Sequence, residues 1–221
     1  MKSVILSEKE LTAFATKRDS LQRKVYNNLL AKFINKELVP GQVLNRRKIA
    51  EEMEVSVAPV LEALVLLEQE GFVSTFPRKG TIVSPAMESD IFGHLIVREA
   101  LEVQAARLYC GDKIRVNYDE LKLYAQRMDD LPVDSVEHAK MEIVFHASLV
   151  NLTGIKSLFQ EFVRINRVGF FYKINTIRSS SWTESQLHVE LVDLLRTDDV
   201  DKAGEAIRYH IRSGKPWLSD R

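Results

Sequence analysis

Residues 44–80 read LNRRKIAEEMEVSVAPVLEALVLLEQEGFVSTFPRKG, and few folds accommodate that pattern. Ile49, Ala50 and Met53 fall on one side of a short helix, and Val55 and Ser56 make a tight turn after it. Val60, Ala63, Leu64 and Leu67 then recur at i, i+3, i+4 and i+7, the spacing of one buried helical face. Ser56 suits the N-cap of this second helix. Pro59 lies in its first turn, where a missing N–H costs little, and Gly71 suits its C-terminal cap. Residues 72–76 and 81–84 read as two short strands around a basic tip of Pro77, Arg78, Lys79 and Gly80. Helix, turn, helix and basic hairpin in that order predict a winged helix-turn-helix. Its second helix is shaped for a major groove and its wing for backbone or minor groove.

The charge balance does not advertise a nucleic-acid partner, because the formal net charge of the 221 residues is zero. The distribution is more informative. Residues 20–85 carry nine Lys and Arg against seven Asp and Glu, and five of those cations sit in two clusters: Arg46, Arg47 and Lys48, then Arg78 and Lys79. A single cysteine, Cys110, excludes an internal disulfide framework and suits a reducing cytoplasm. No apolar run approaches the roughly 20 residues of a membrane-spanning helix. The opening MKSVILSEKELT has no apolar core of a signal peptide, so a cytoplasmic location is expected.

Around the central stretch the chain divides into a polar lead-in with a weak helical pattern (residues 1–19), a winged-helix domain (20–85) and a helical domain (86–221). Leu21, Val25, Leu29, Ala31, Phe33 and Ile34 mark a first helix running to about Lys36, ended by Val39, Pro40 and Gly41. After a linker from Ser84 to Glu88 the periodicity is helical throughout. Helices are predicted at 88–109, 117–128, 135–150, 156–176, 183–196 and 200–213. The fold class is therefore mainly α: a winged helix-turn-helix followed by an all-α bundle of six or seven helices.

The N-terminal part resembles the DNA-binding domain of GntR-family bacterial transcription regulators. The resemblance rests on Pro40-Gly41, Leu44, Ile49-Ala50, Val55-Ser56, Pro59, Glu62-Ala63-Leu64, Leu67-Glu68, Glu70-Gly71, residues 77–80 and Val83. The bundle is similar to the FCD effector domain of the FadR-like subfamily, through Arg98, Glu102, Phe145-His146, His188 and His210. The two resemblances cover nearly all of the chain from Ser20 onward. They imply a homodimer that binds operator DNA, responds to a small carboxylate effector and acts as a repressor.

The second group of residues carries chemistry of its own. Glu142 and His146 are four apart on one helix and so share a face. His188 and His210 lie on the last two helices, each in an otherwise apolar stripe. The resemblance implies that Glu142, His146, His188 and His210 are ligands of a divalent transition metal, a donor set suited to zinc, nickel, manganese or iron. The family usually has Asp where this chain has Glu142, whose extra methylene lets it ligate directly or sit behind a ligand. On the residues alone, three unrelated histidines and a surface glutamate are the alternative. His94 and His138 match nothing and read as ordinary polar positions. The resemblance also implies that Arg98 faces the pocket and grips the effector carboxylate with its planar fork; the local alternative is a helical Arg98–Glu102 surface pair. Ile155 stands where the family commonly has Asn. A metal-dependent hydrolase is a remote alternative, because no nucleophile motif or separate general base accompanies the histidines. No catalytic residue is assigned.

Operator contacts are expected from Arg46, Arg47, Ser56, Val57, Ala58, Pro59, Leu61, Arg78, Lys79 and Gly80. The family typically has arginines at the positions of Val57 and Leu61, and polar or basic residues at Val65 and Leu66. This chain instead presents Val57, Leu61 and Val65 at i, i+4 and i+8, an apolar strip where bases are met. Three readings compete. The strip reads thymine methyl groups, it packs on a partner domain or on the N-terminal lead-in, or the module has become an interaction surface without DNA binding.

Overall fold

The computed structural model describes residues 3–7, 10–11, 20–85, 88–133, 135–176 and 187–213. The first domain opens with α1 (Leu21–Ile34), whose N-cap Ser20 accepts from the backbone N–H of Arg23. Strand β1 (Val43–Leu44) follows, then α2 (Arg46–Glu52) and α3 (Val57–Gln69). The wing is β2 (Val73–Phe76) and β3 (Gly80–Val83). The sequence predicts two strands; the sheet has three, in the order β1-β3-β2, all antiparallel. Val43 pairs with Ile82 and Leu44 with Thr81, while Phe76 pairs with Gly80 at the tip. Gly71, at φ 90°, ends α3 in the left-handed region that glycine adopts without a Cβ clash. Ser56 does occupy the N-cap of α3, but its side chain makes no capping hydrogen bond.

The bundle comprises α4 (Glu88–Tyr109), α5 (Asp112–Val116), α6 (Tyr118–Asp129), α7 (Val136–Asn151), α8 (Lys156–Thr176), α9 (His188–Leu194) and α10 (Val200–Arg212). Two corrections to the sequence reading concern short elements. The five-residue α5 was not predicted, and α9 begins at His188 rather than at 183, with Leu187 extended as its N-cap. Positions 183–186 lie outside the described residues.

Two apolar cores result. Val25, Tyr26, Leu29, Phe33, Val60, Leu67 and Phe72 fill the first. Tyr109, Ile114, Leu121, Phe145, Phe159, Phe162 and Ile207 belong to the second. Helix α8 is common to both: Phe159, Phe162 and Val163 belong to the bundle core, and Val168 and Phe171 to the winged-helix core. Phe171 packs edge-on to Phe33 at 5.3 Å between centroids and tilted against Phe72 at 5.5 Å. Beside that trio the Tyr26 hydroxyl donates to Glu70 at the C-cap of α3 at 2.6 Å, and Arg167 of α8 hydrogen-bonds the same phenol.

The N-terminal lead-in takes a different place from one the sequence offered. Leu6 and Leu11 are buried in the bundle core, and the Leu6 backbone N–H donates to Ser148 Oγ on α7 at 3.0 Å. The described lead-in therefore docks on the bundle and does not cover the strip on α3, whose three side chains remain exposed.

Candidate metal centre and nucleic-acid interface

The bundle brings His146, His188 and His210 together. One nitrogen from each lies within 4.8 Å of the other two, and all three side chains are buried. Each comes from a different helix: α7, the first residue of α9, and the last turn of α10. The rings face one another at centroid distances of 4.6 Å (His188–His210), 5.2 Å (His146–His210) and 5.7 Å (His146–His188). Phe145 walls the group, edge-on to both His146 and His188 at 5.4 Å.

Two carboxylates orient two of these rings. Glu102 Oε2 on α4 lies 2.5 Å from His146 Nδ1. Asp129 Oδ1 at the end of α6 lies 2.7 Å from His188 Nδ1 and also accepts the backbone N–H of His188, while its Oδ2 accepts that of Val189. Asp129 thus caps α9 from another helix, which Leu187 cannot do. A carboxylate acceptor makes Nδ1 the protonated nitrogen in each ring and leaves the lone pair on Nε2. Among the described residues, neither His146 Nε2 nor His188 Nε2 has a hydrogen-bond partner, although both are buried. A buried polar atom without a partner costs free energy. Here two such lone pairs open on one small space, the arrangement of metal-ligating histidines with their outer carboxylates. The donor set fits a divalent transition metal.

Charge follows the same plan. Burial works to raise the Glu102 carboxyl, but the Arg98 guanidinium, together with hydrogen bonds from His146 and Arg98, outweighs it and holds the pKa at about 2. Burial also holds His146 below the ordinary imidazole value, against the pull of Glu102. Near neutral pH, His146 therefore gives Glu102 an N–H hydrogen bond rather than a full charge, and Arg98 supplies the electrostatic part. Burial raises the Asp129 carboxyl less than the His188 and Val189 hydrogen bonds lower it, so its net shift is downward.

Glu142 lies outside the three-histidine group. Its Oε1 accepts from Arg98 Nη1 at 3.1 Å, while Arg98 Nε donates to Glu102 Oε1 at 2.5 Å. Arg98 does pair with Glu102, as the local alternative has it, but Glu102 is buried and Arg98 only partly exposed, so the pair is not a surface one. Arg98, Glu102 and His146 form one chain of contacts leading to the histidine cluster. His138 is a correction: it is buried, with its ring 5.9 Å edge-on from His188, not an ordinary polar position. Sequence reasoning missed the roles of Glu102 and Asp129. The i, i+4 spacing of Arg98 and Glu102 hinted at the first, and only the fold could supply the second.

At the other end of the molecule, Asn45 caps α2 by accepting from the backbone N–H groups of Arg47 and Lys48. Arg47 and Lys48 are exposed there, and Arg78 and Lys79 are exposed at the wing tip. Arg46 is half-buried, and its Nη2 donates to Thr81 Oγ1 at 3.0 Å, tying the start of α2 to the wing. Ser56, Val57, Ala58 and Leu61 are exposed on the first turns of α3, with Pro59 and Gly80 partly buried.

Comparison with known proteins agrees with this architecture. Residues 21–83 match bacterial regulatory proteins of the gntR family, and residues 95–213 match the FCD domain. An HTH-type transcriptional regulator from an unstable DNA locus of Streptomyces ambofaciens is 28% identical over 199 residues, 87% of this chain and 82% of that protein. The Nta operon transcriptional regulator of Aminobacter aminovorans is 26% identical over 178 residues, 78% and 82% of the two chains. Among solved structures, a GntR transcriptional regulator from Rhodococcus sp. RHA1 aligns with a TM-score of 0.67 at 18% identity, covering 90% of this chain and 97% of that one. E. coli McbR/YncC aligns with a TM-score of 0.65 at 18% identity, covering 92% and 99%; these two share the fold. No helix among the described residues is long and apolar enough to cross a membrane. The chain belongs to the GntR family of bacterial regulatory proteins, with an FCD domain as its helical bundle, and is a DNA-binding transcriptional regulator rather than an enzyme.

Proposed function

We propose that this regulator is a homodimeric repressor that senses a small carboxylate at a metal-containing pocket in its bundle. The observation that carries the reading is the pair of buried Nε2 lone pairs on His146 and His188, each aimed by a carboxylate on the opposite ring nitrogen. The residues that would hold a divalent metal are His146, His188 and His210, with Glu142 as the fourth donor. Bound there, the ion would supply open positions for a chelating carboxylate, for which zinc, nickel, manganese and iron are all suitable. Glu142 would serve as a ligand through its second oxygen or by leaving Arg98, and a departure would free a guanidinium donor for the effector. Arg98 is already anchored by Glu102, so its fork stays aimed while the partner on Nη1 changes.

Transmission follows from α8, which contributes to both cores. A shift of α7 on loading the pocket bears on α8, because the two pack together, and reaches Phe171 between Phe33 and Phe72. The effector acts by binding one arrangement more tightly than the other, which alters the spacing of the paired winged helices on a pseudo-palindromic operator. A bacterial operator is chromosomal, so the proposed function places the protein in the cytoplasm.

Titration calorimetry with each metal, followed by a panel of di- and tricarboxylic acids, tests the reading. One metal per chain is expected, with carboxylate binding that requires the metal and is lost in His146→Ala. Carboxylate binding that is indifferent to metal removal counts against the pocket as proposed.

A further inference from the structure

We infer that α3 reads its operator through the 5-methyl groups of thymine, so that the centre of each half-site is rich in A·T pairs. This rests on the reading of the chain as an operator-binding regulator. Val57, Leu61 and Val65 are 37%, 39% and 51% exposed, one helical turn apart, on a face of α3 that flanks its buried residues Val60, Ala63, Leu64 and Leu67. For a structured helix this is a continuous aliphatic strip that the fold itself leaves uncovered.

The chemistry of that face excludes the commonest alternative. Specific reading of guanine needs donors for O6 and N7, and adenine needs an amide that both donates and accepts. Helix α3 carries no Lys, Arg, His or Asn. Gln69 is its last residue, at the end away from the exposed N-terminal turns. Glu68 is committed elsewhere, because Oε1 accepts the Thr75 backbone N–H of the wing at 2.5 Å. Glu62 has acceptors only. Over the first two turns the polar groups are Ser56 Oγ at the N-cap and the Glu62 carboxylate, which accepts only from base amino groups; the rest of what meets a base edge is aliphatic, and the aliphatic group in the major groove is the thymine methyl.

The clustering of the cations, rather than the domain's net charge, favours a polyanion as the occupant. The exposed cations of the domain include Arg47 and Lys48 at the start of α2 and Arg78 and Lys79 at the wing tip, and the Arg46–Thr81 hydrogen bond holds the two groups in register. An apolar strip with cations on the neighbouring helix and wing suits a duplex better than an apolar protein groove: the phosphates take the cations and the methyl groups take the strip. Affinity would then come from Arg47, Lys48, Arg78 and Lys79, and sequence preference from Val57, Leu61 and Val65.

The test is selection of duplexes from a randomised library by the full-length protein, followed by replacement of each enriched thymine with uracil, which removes only the methyl group. The expected result is A·T enrichment at the half-site centre and a loss of roughly fourfold in affinity per contacted methyl. That loss should shrink in Leu61→Ala, whose exposed position leaves the fold intact. Guanine-centred sites, or selected sites that tolerate uracil without loss, overturn the methyl readout while leaving the regulator reading in place. If no duplex is preferred over random DNA, and the protein instead self-associates in a way abolished by Leu61→Asp, the strip is a protein interface and both readings fall.

Discussion

Glu102 of α4 and His146 of α7 meet with 2.5 Å between Oε2 and Nδ1, both side chains buried. The contact sets which imidazole nitrogen is bare and where it points. Removing the negative charge while keeping the shape therefore weakens the ligand without emptying the space. Glu102→Gln is expected to lower metal affinity about 10- to 100-fold, read by competition against a chromophoric chelator, with the far-ultraviolet circular dichroism unchanged. Unaltered affinity would mean that His146 Nε2 is not a ligand.

Acid should weaken the fold in two steps of the same sign. The folded-state pKa of His146 lies below the ordinary 6.5, so the unfolded chain takes up that proton first as pH falls. The stability tied to His146 is complete above about 6.5 and declines below it. Glu102 drops from an ordinary 4.5 to about 2, so its contribution is present above 4.5 and is lost as pH falls toward 2. Thermal melts of the metal-free protein should show a Tm that is level above pH 6.5, falls below it and falls more steeply below 4.5. A Tm that rises on acidification contradicts the burial of these groups.

Much of the fold was legible because long helices repeat their signal. The helix predicted at 88–109 is α4 from end to end, and that at 156–176 is α8. Short elements were not: β1 has two residues and α5 five, too few for any periodicity. The histidines of the site were found through a resemblance. Their carboxylate partners were not, because Glu102 is 44 residues from His146 and Asp129 is 59 from His188, distances that only the tertiary fold closes. Asp129 is the last residue of α6, and its second task, capping α9, depends on a helix far along the chain. Leu6 and Leu11 are isolated apolar residues in a polar lead-in, and nothing in their spacing announces that they enter the bundle core.

Phe171, together with Val168, carries α8 into the winged-helix core. Phe171→Ala should cost about 3–5 kcal/mol by loss of burial and creation of a cavity, measured by urea denaturation. Phe171→Leu keeps most of the volume and should cost less. In that milder variant the change in DNA affinity on effector binding should also shrink, because the packing that links the two cores is loosened; an unchanged response would place the coupling elsewhere.

Arg47→Ala and Arg78→Ala should each weaken DNA binding about equally across sequences and reduce the slope of log affinity against log salt by about 1. Leu61→Ala should leave that slope unchanged, because no phosphate contact is lost. Filter binding at four or five salt concentrations separates the two classes of residue. A slope unaffected by either arginine substitution would remove those side chains from the phosphate contacts.

The most direct measurement is binding of the full-length, metal-loaded protein to a DNA fragment from upstream of its own gene, against an unrelated fragment of equal length, across a salt series. A metal-chelating dicarboxylate is then added at the salt concentration that separates the two fragments best. Preferential binding to the upstream fragment is expected, with a clear salt slope and release on adding the carboxylate that is lost in His146→Ala. Equal binding to both fragments at every salt concentration, or specific binding that neither metal removal nor carboxylate alters, would contradict the proposed coupling between the histidine pocket and the operator.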